Sequence, residues 1–206
     1  MEKGLMLVVS GPAGSGKGTV NGRLSKMEGY AFSVSATTRA PRPGEVDGVN
    51  YHFISREEFE ERIARGDMLE YTSYCGNYYG TPLKEALEVL EMGKNLILEI
   101  EVEGAMNVKR LYPEAVLIML LPPTFAIQEW RLRHRGTETE EVIQRRLART
   151  REEMELLGEY DYVVYNYPDR AEDCVEQIRA IVSAERCSLR RHPNARAAYF
   201  EEEEKK

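Results

Sequence analysis

Cysteine is scarce in this chain of 206 residues, which contains three: Cys75, Cys174 and Cys187. An odd number of cysteines at wide spacing predicts neither a disulfide framework nor a zinc site. We therefore expect free thiols, and this usage favours a cytoplasmic protein, because reducing conditions keep cytosolic thiols reduced.

The sequence also lacks a long hydrophobic segment and an excess of positive charge. Its longest apolar run, "VLIMLL" at Val116–Leu121, is far too short to span a bilayer. The apolar stretch near the N-terminus runs into a glycine-rich turn and has no cleavage site typical of a signal peptide. The formal net charge is −7, whereas nucleic-acid-binding proteins usually have a basic surface. We expect no membrane association and no nucleic-acid partner.

Short apolar segments alternate with helical patterns along most of the chain, which is typical of an α/β fold with a parallel sheet. The predicted strands are "LMLVVS", "AFSVSA", "NLILEIE", "AVLIMLL" and "YDYVVYN". Two stretches, 35–81 and 126–158, interrupt the alternation. Because open α/β sheets bind ligands beyond the carboxyl ends of their strands, we interpret both stretches as insertions over that edge. Residues 188–206 are predicted to be a flexible tail.

A phosphate-binding loop is predicted at "GPAGSGKGT", which follows the first predicted strand and begins the first predicted helix. It matches the pattern G-x-x-x-x-G-K, in which backbone N–H groups and the helix N-terminus bind phosphate oxygens. Lys17 is expected to contact the terminal phosphates, and a tight glycine-rich turn without a ligand is the alternative. The predicted ATP-binding residues of the loop are Gly11, Pro12, Ala13, Gly14, Ser15, Gly16, Lys17, Gly18 and Thr19.

The loop departs from the usual pattern at Gly18, where a serine or threonine normally binds Mg²⁺. Thr19 could supply a hydroxyl from the next position, or the metal could be held mainly through water. The form G-K-G-T resembles that of nucleoside monophosphate kinases, whose loop binds the donor triphosphate. This resemblance implies ATP as the phosphoryl donor and Mg²⁺ as the cofactor.

A second candidate anion site lies in "TTRAPRPGEVDGVNY", which contains too many prolines and glycines to form a helix. Arg39 and Arg42 offer two planar guanidinium groups suited to phosphate oxygens. Ser35 and Tyr51 can add hydroxyl donors, so the four side chains together predict a monophosphate site. A pair of solvated loop arginines is the alternative.

Three segments together resemble the guanylate kinases: "SVSATTRAPRPGEVDGVNYHF", "GNYYGT" and "RGTETEE". The resemblance extends from about Leu5 to Ala184. It implies a three-layer phosphate-loop kinase core with a parallel five-stranded sheet (1–34, 82–125 and 159–187). It further implies an inserted mixed-β domain that binds GMP (35–81) and a helical lid (126–158).

The same resemblance assigns the GMP site. The GMP phosphate would be bound by Ser35, Arg39, Arg42, Tyr51 and Tyr79, and the base by Glu70, Thr81 and Glu101. Guanine presents N–H donors at N1 and N2, and an ionised carboxylate only accepts, so the two are complementary. The alternative for Glu70 and Glu101 is a pair of solvated acids at the ends of elements.

The segment "LEIEVEGA" departs from the family pattern, which usually has aspartate at position 101 and glutamine at position 103. The longer Glu101 must reposition its carboxylate, and Glu103 adds negative charge near anionic substrates. We expect activity to survive both changes, with an altered guanine contact.

Seven arginines lie between residues 130 and 151, several of them four residues apart on a shared helix face. The resemblance implies a mobile lid that brings some of them to the transferring phosphoryl group, whereas ordinary helix surface is the alternative. The residues assigned to catalysis are Lys17, Arg39, Arg42, Arg135 and Arg146, and Arg131 and Asn166 complete the ATP-binding set.

The implied reaction is MgATP + GMP ⇌ ADP + GDP, with dGMP as a further acceptor. It needs no general base, because the acceptor phosphate has a second pKa of about 6 and is already deprotonated at neutral pH. Catalysis then consists of positioning and charge neutralisation. An adenylate kinase is disfavoured by "TTRAPRPG", "GNYYGT" and the two base-facing acids, and a guanylate-kinase-like scaffold by the intact loop and arginines.

Overall fold

The structure, a computed structural model, describes residues 3–74, 76–136 and 138–200. Cys75 and the last residues of the predicted tail lie outside the described part. The strands are β1 (Met6–Ser10), β2 (Tyr30–Phe32), β3 (Ala36–Thr37), β4 (His52–Phe53), β5 (Met68–Tyr74), β6 (Asn77–Pro82), β7 (Asn95–Leu98), β8 (Val116–Leu121) and β9 (Tyr162–Tyr165). The helices are α1 (Lys17–Leu24), α2 (Arg56–Arg65), α3 (Leu83–Glu91), α4 (Val102–Leu111), α5 (Phe125–His134), α6 (Glu140–Met154), α7 (Ala171–Arg186) and α8 (Ala195–Phe200).

Within the described residues, five parallel strands form the central sheet in the order β2-β7-β1-β8-β9, which confirms the predicted α/β class. The central strand β1 is buried along its whole length. Met6 and Val8 pack on the side of α3 and α4, whereas Leu7 and Val9 pack on the side of α1 and α7. A strand covered on both faces must be apolar at successive positions, so the fold has three layers.

A second, mixed sheet has the order β4-β3-β6-β5, in which β3 pairs in parallel with β4 and antiparallel with β6. It corrects the prediction that "AFSVSA" is one strand. The chain leaves the parallel sheet after Phe32 and enters the mixed sheet at Ala36. Phe59 of α2 is fully buried, and its ring stacks on Tyr78 of β6 with the centroids 5.2 Å apart.

Helices α5 and α6 form a small unit beside the glycine loop. Leu132 of α5 packs with Ile143 and Leu147 of α6, and this cluster contacts Ala13 of the loop. The arginine-rich stretch is therefore anchored by its apolar residues on the segment predicted to bind phosphate.

The segment after α7 is held to the core by a buried acid. Glu185 is 3% exposed and accepts hydrogen bonds from Tyr162 Oη at 2.6 Å, Arg190 Nε at 3.1 Å and Arg191 Nε at 3.1 Å. Arg191 also donates to the Glu114 carbonyl at 2.8 Å. We call these four side chains, Tyr162, Glu185, Arg190 and Arg191, the Glu185 cluster. Flexibility of residues 188–206 stays a prediction, although the first of these residues make ordered contacts.

In the described part of the chain, none of the helices combines the length and the apolar character that a membrane crossing requires. The two cysteines described, Cys174 and Cys187, are both free thiols, the first buried and the second exposed.

Candidate active site

The glycine loop joins β1 to α1 and requires glycine at specific positions. Gly14 and Gly16 have φ values of 83° and 92°, in the left-handed region that favours glycine. A Cβ atom at Gly11 would lie 2.2 Å from the Leu120 carbonyl oxygen, and one at Gly16 would lie 2.2 Å from Asn166 Nδ2. The loop therefore packs too closely on β8 and on the segment after β9 to accept side chains.

Lys17, the first residue of α1, turns back over this loop. Its Nζ donates to the Gly11 carbonyl and lies 3.4 Å from the Pro12 carbonyl. Ser15 Oγ is buried and lacks a hydrogen-bond partner among the described residues. The loop thus combines a cation, a helix N-terminus and an unsatisfied hydroxyl, which are the groups that bind phosphate.

A cavity opens beside the loop, and we call it the loop cavity. Its lining comes from the glycine loop, α1, α5 and the segment that follows β9. The lining residues are Gly14, Gly16, Thr19, Arg23, Trp130, Arg131, His134, Arg135, Asn166, Tyr167, Asp169 and Ala171. Six of them were predicted as site residues: Gly14, Gly16, Thr19, Arg131, Arg135 and Asn166.

Asn166 and Arg131 brace the loop from the side of the cavity. The Asn166 side chain is 6% exposed, and its Nδ2 donates to the Ser15 carbonyl at 2.8 Å. Arg131 Nη2 donates to the Asn166 carbonyl at 2.9 Å, and burial lowers the pKa of this arginine. Both side chains are therefore committed to protein contacts while they line the cavity.

A second cavity, the carboxylate cavity, lies where the mixed sheet faces the end of β7. Its lining residues are Ser35, Tyr51, Glu70, Thr72, Tyr79, Gly80, Glu99, Ile100 and Glu101. The structure therefore brings together five predicted residues from distant parts of the sequence: Ser35, Tyr51, Glu70, Tyr79 and Glu101.

Glu70 is the most strongly perturbed acid of this cavity. It is 3% exposed, and burial raises the pKa of its carboxyl group to about 7. Thr81 Oγ1 donates to Glu70 Oε1 at 2.9 Å, whereas Oε2 is buried without a hydrogen-bond partner in the described part of the protein. A buried polar atom without a partner is costly, so this oxygen needs a donor that the described residues do not supply.

Arg39 and Arg42 both contact a residue that the sequence patterns did not single out. The two terminal nitrogens of Arg39 each donate to a Glu45 oxygen at 2.9 Å, and these bonds raise the pKa of Arg39. Arg42 contacts the same carboxylate through its backbone N–H at 2.7 Å. Its side chain is exposed and is not one of the described residues that line the carboxylate cavity. Arg39 lies beside the cavity, 5.5 Å from the centroid of the Tyr51 ring.

A third, smaller cavity, lined by Ala13, Glu101, Arg146, Arg149 and Glu153, joins the glycine loop to α6. Arg146 forms a 2.7 Å ion pair with Glu138. Glu153 pairs with Arg149 at 3.1 Å, and burial, reinforced by the nearby Glu101, raises the pKa of Glu153. Positive and negative groups thus alternate where α6 faces Ala13 and Glu101.

Glu99 was also missed from the sequence, although it lies between the carboxylate cavity and α1. It follows β7, lines the carboxylate cavity, and accepts from Asn21 Nδ2 of α1 at 2.9 Å. Its Oε1 lies 3.9 Å from where a Cβ would stand on Gly18. The available signal was its place at the end of a buried parallel strand next to the loop strand, where ligands are usually bound.

Oxygen-bearing side chains beside the loop fit a magnesium ion. Among the described residues, no group of three or more His, Cys, Asp or Glu side chains is arranged to hold a metal. Magnesium in nucleotide sites is typically held by one or two carboxylates together with phosphates and water. Glu99, which faces position 18, supplies a carboxylate of this kind, and Thr19, which lines the loop cavity, supplies a hydroxyl oxygen.

Comparisons with known proteins all lead to one family. A family model described as guanylate kinase matches residues 3–185. The guanylate kinase of Halalkalibacterium halodurans is 54% identical over 191 residues, covering 92% of this chain and 93% of that protein. The guanylate kinase of Clostridium tetani is 47% identical, covering 93% and 91%. The crystal structure of guanylate kinase from Anaplasma phagocytophilum has a TM-score of 0.71 at 31% identity, covering 89% of this chain and 87% of that one.

Proposed function

The chain belongs to the guanylate kinase family, the enzymes that phosphorylate GMP with ATP, and we propose that the loop cavity and the carboxylate cavity each bind one of the two substrates. In this proposal the loop cavity binds ATP and the carboxylate cavity binds GMP, or dGMP. The observation that carries the assignment is the Glu70 carboxylate, which is buried in the cavity lining. One of its oxygens is bonded to Thr81, and the other has no hydrogen-bond partner among the residues that the structure describes.

Guanine recognition follows from the acceptors of the carboxylate cavity. The N1–H and N2–H₂ groups of guanine are donors, and the unsatisfied Glu70 oxygen is an acceptor. Thr81 fixes the orientation of that carboxylate, and Glu101 supplies a second acceptor in the same lining. Adenine presents an unprotonated N1 on the corresponding edge, which would face lone pairs and be rejected.

The GMP phosphate is proposed to bind Ser35, Arg39, Arg42, Tyr51 and Tyr79. Arg39 already presents its planar guanidinium to a planar carboxylate, and a phosphate can replace Glu45 with the same bidentate geometry. Arg42 begins from an exposed position in the same loop. Its recruitment therefore requires movement of the 35–81 insertion, which we propose closes over GMP.

The ATP phosphates are proposed to bind the residues from Gly11 to Thr19. Lys17 exchanges its contact with the Gly11 carbonyl for phosphate oxygens, and Asn166 and Arg131 keep the loop in shape. Magnesium, held near Thr19 and Glu99, would neutralise charge on the donor phosphates when it is bound.

The 126–158 segment is proposed to act as a lid that brings Arg135 and Arg146 to the transferring phosphoryl group. Arg146 pairs with Glu138 and lines the small cavity beside Ala13 of the loop. Two cations at this position stabilise the charge that spreads over the phosphoryl oxygens. Closure would also exclude water and limit ATP hydrolysis.

We place the reaction in the cytoplasm, because its reducing conditions are compatible with the free Cys187 thiol.

A coupled assay with GMP, dGMP, AMP and UMP at saturating MgATP tests the assignment. GMP is expected to have the highest kcat/KM, and Lys17→Met to lower kcat at least about 100-fold, because it removes a cation from the donor phosphates. Lys26→Met, at an exposed position shortly after α1, is the matched control and should retain activity. Another nucleotide as the best acceptor would overturn the proposal.

A further inference from the structure

The lining of the loop cavity contains a large aromatic side chain that the roles assigned above do not use. Trp130 of α5 is 57% exposed and is the only tryptophan in the sequence. An exposed aromatic residue needs no explanation by itself. Trp130, however, lines the same cavity as Gly14, Gly16 and Thr19, which belong to the loop proposed to bind phosphate.

The indole is held in place by a second ring. His134, one helical turn further along α5, stacks on Trp130 with the ring centroids 4.2 Å apart and an angle of 23° between the planes. His134 Nδ1 donates to the Trp130 carbonyl at 2.9 Å, which fixes the imidazole against the indole. One face of the indole is therefore covered, and the exposed remainder is available to a ligand.

We propose that Trp130 is the stacking platform for the purine base of the donor nucleotide. This inference rests on the proposed function, because the glycine loop must hold the donor phosphates. A nucleotide anchored there extends its ribose and base along the cavity lining, where Trp130 and His134 lie. An indole already ordered by a neighbouring ring loses little conformational freedom when a base stacks on it.

The chemistry of stacking sets the specificity of this platform. Every base has a π-face, so an aromatic surface binds bases without recognising the groups on their edges. Trp130 should therefore strengthen the binding of ATP and GTP by similar factors. It should have no effect on the acceptor, which occupies the carboxylate cavity.

Steady-state kinetics of Trp130→Ala test the platform. Loss of one base–aromatic stack should raise the KM for ATP about tenfold or more, with kcat and the KM for GMP close to wild type. Trp130→Phe should keep the KM for ATP close to the wild-type value, because an aromatic ring remains. Tyr199→Ala, which removes an aromatic ring that is 82% exposed and lies in α8, is the matched control. An unchanged KM for ATP, or an equal rise in the KM for GMP, would overturn the inference.

Tryptophan emission gives a test that does not depend on turnover, since Trp130 is the only source of it. ADP, which carries a base, should quench the emission, and the quenching should saturate as the ADP concentration rises. Inorganic pyrophosphate, which has the phosphates alone, should leave the emission nearly unchanged. Equal effects of the two ligands would show that Trp130 senses phosphate occupancy and would refute stacking. Failure of the wild type to phosphorylate GMP, with ADP still quenching, would instead refute the proposed function alone.

Discussion

In the proposed GMP site, the carboxyl group of Glu70 favours opposite protonation states before and after the nucleotide binds. Burial raises its pKa to about 7 by disfavouring the charged form. Two N–H donors of guanine favour the charged form, which only accepts. GMP should therefore bind preferentially to the ionised enzyme and release a proton at neutral pH.

This linkage predicts a pH dependence of the KM for GMP. As the pH falls from 8 to 6 through the pKa of about 7, the ionised fraction of Glu70 falls and the KM for GMP should rise. In Glu70→Gln that contribution disappears, and only the titration of the GMP phosphate, with its second pKa of about 6, remains. Identical pH profiles of the two proteins would contradict the assignment.

The same substitution predicts a loss of affinity at constant pH. A glutamine presents one acceptor and turns an amide donor towards guanine, so a hydrogen bond to a charged group, typically about 1.5–3 kcal/mol, is lost. At pH 8 the KM for GMP should rise between about tenfold and 100-fold, while the KM for ATP stays unchanged. A change in the KM for ATP alone would contradict the assignment and indicate that the carboxylate cavity binds ATP.

Single residues differ in how far the sequence predicts them. Arg39 and Arg42 stand in a conspicuous motif, and the glycine loop has a recognisable spacing. Glu45 and Glu99 were missed because their importance arises from contacts that spacing does not encode. Glu99 meets Asn21 of α1 across 78 positions, and Glu45 became notable only when both its oxygens were found on Arg39.

At the scale of elements, the glycine loop offers a matched pair of substitutions in one short segment. Gly16→Ala should abolish ATP binding, because its Cβ would lie 2.2 Å from Asn166 Nδ2 and its φ is 92°. Gly22→Ala, within α1, meets nothing within 4 Å and should stabilise the helix by about 0.5–1 kcal/mol. ATP titrations and thermal unfolding measure the two effects, and equal ATP binding by both variants would contradict the packing argument.

Elements buried on both faces were predicted well, since β1 and β8 are long apolar runs with clear stops. The prediction was wrong where the chain passes between sheets. Nothing in "AFSVSA" distinguishes the part that pairs with β7 from the part that pairs with β6, because both parts have the composition of a strand. Sheet membership depends on the partner strand, which local periodicity does not specify.

At the scale of the whole molecule, the Glu185 cluster connects the C-terminal segment to β9 and α7. Burial acts to raise the pKa of Glu185, but hydrogen bonds from Arg190, Tyr162 and Arg191 outweigh it, so the pKa is lowered. Because the pKa of Glu185 is lowered in the folded state, its hydrogen bonds stabilise the fold at pH values above the ordinary pKa of 4.5. This stabilisation is lost as the pH falls through the pKa of the folded state.

Glu185→Gln should therefore lower the free energy of unfolding at pH 7 by about 1–3 kcal/mol, with a smaller difference below pH 4. Urea unfolding at both pH values measures this. Glu176→Gln, in an exposed pair with Arg179 on the same helix, is the control and should cost less than about 1 kcal/mol. Equal destabilisation by both variants would show that the cluster adds nothing beyond a surface ion pair.

Three of the cations assigned to phosphate are already engaged within the free protein: Lys17 by a loop carbonyl, Arg39 by Glu45 and Arg146 by Glu138. Each incoming phosphate must therefore exchange with an internal acceptor, so the net gain at any one cation is small. A small anion such as inorganic phosphate therefore gains little binding free energy from replacing one internal acceptor. A whole nucleotide, which engages several positions at once, tolerates these exchanges, so the resting enzyme should resist inhibition by the anions that surround it in the cell.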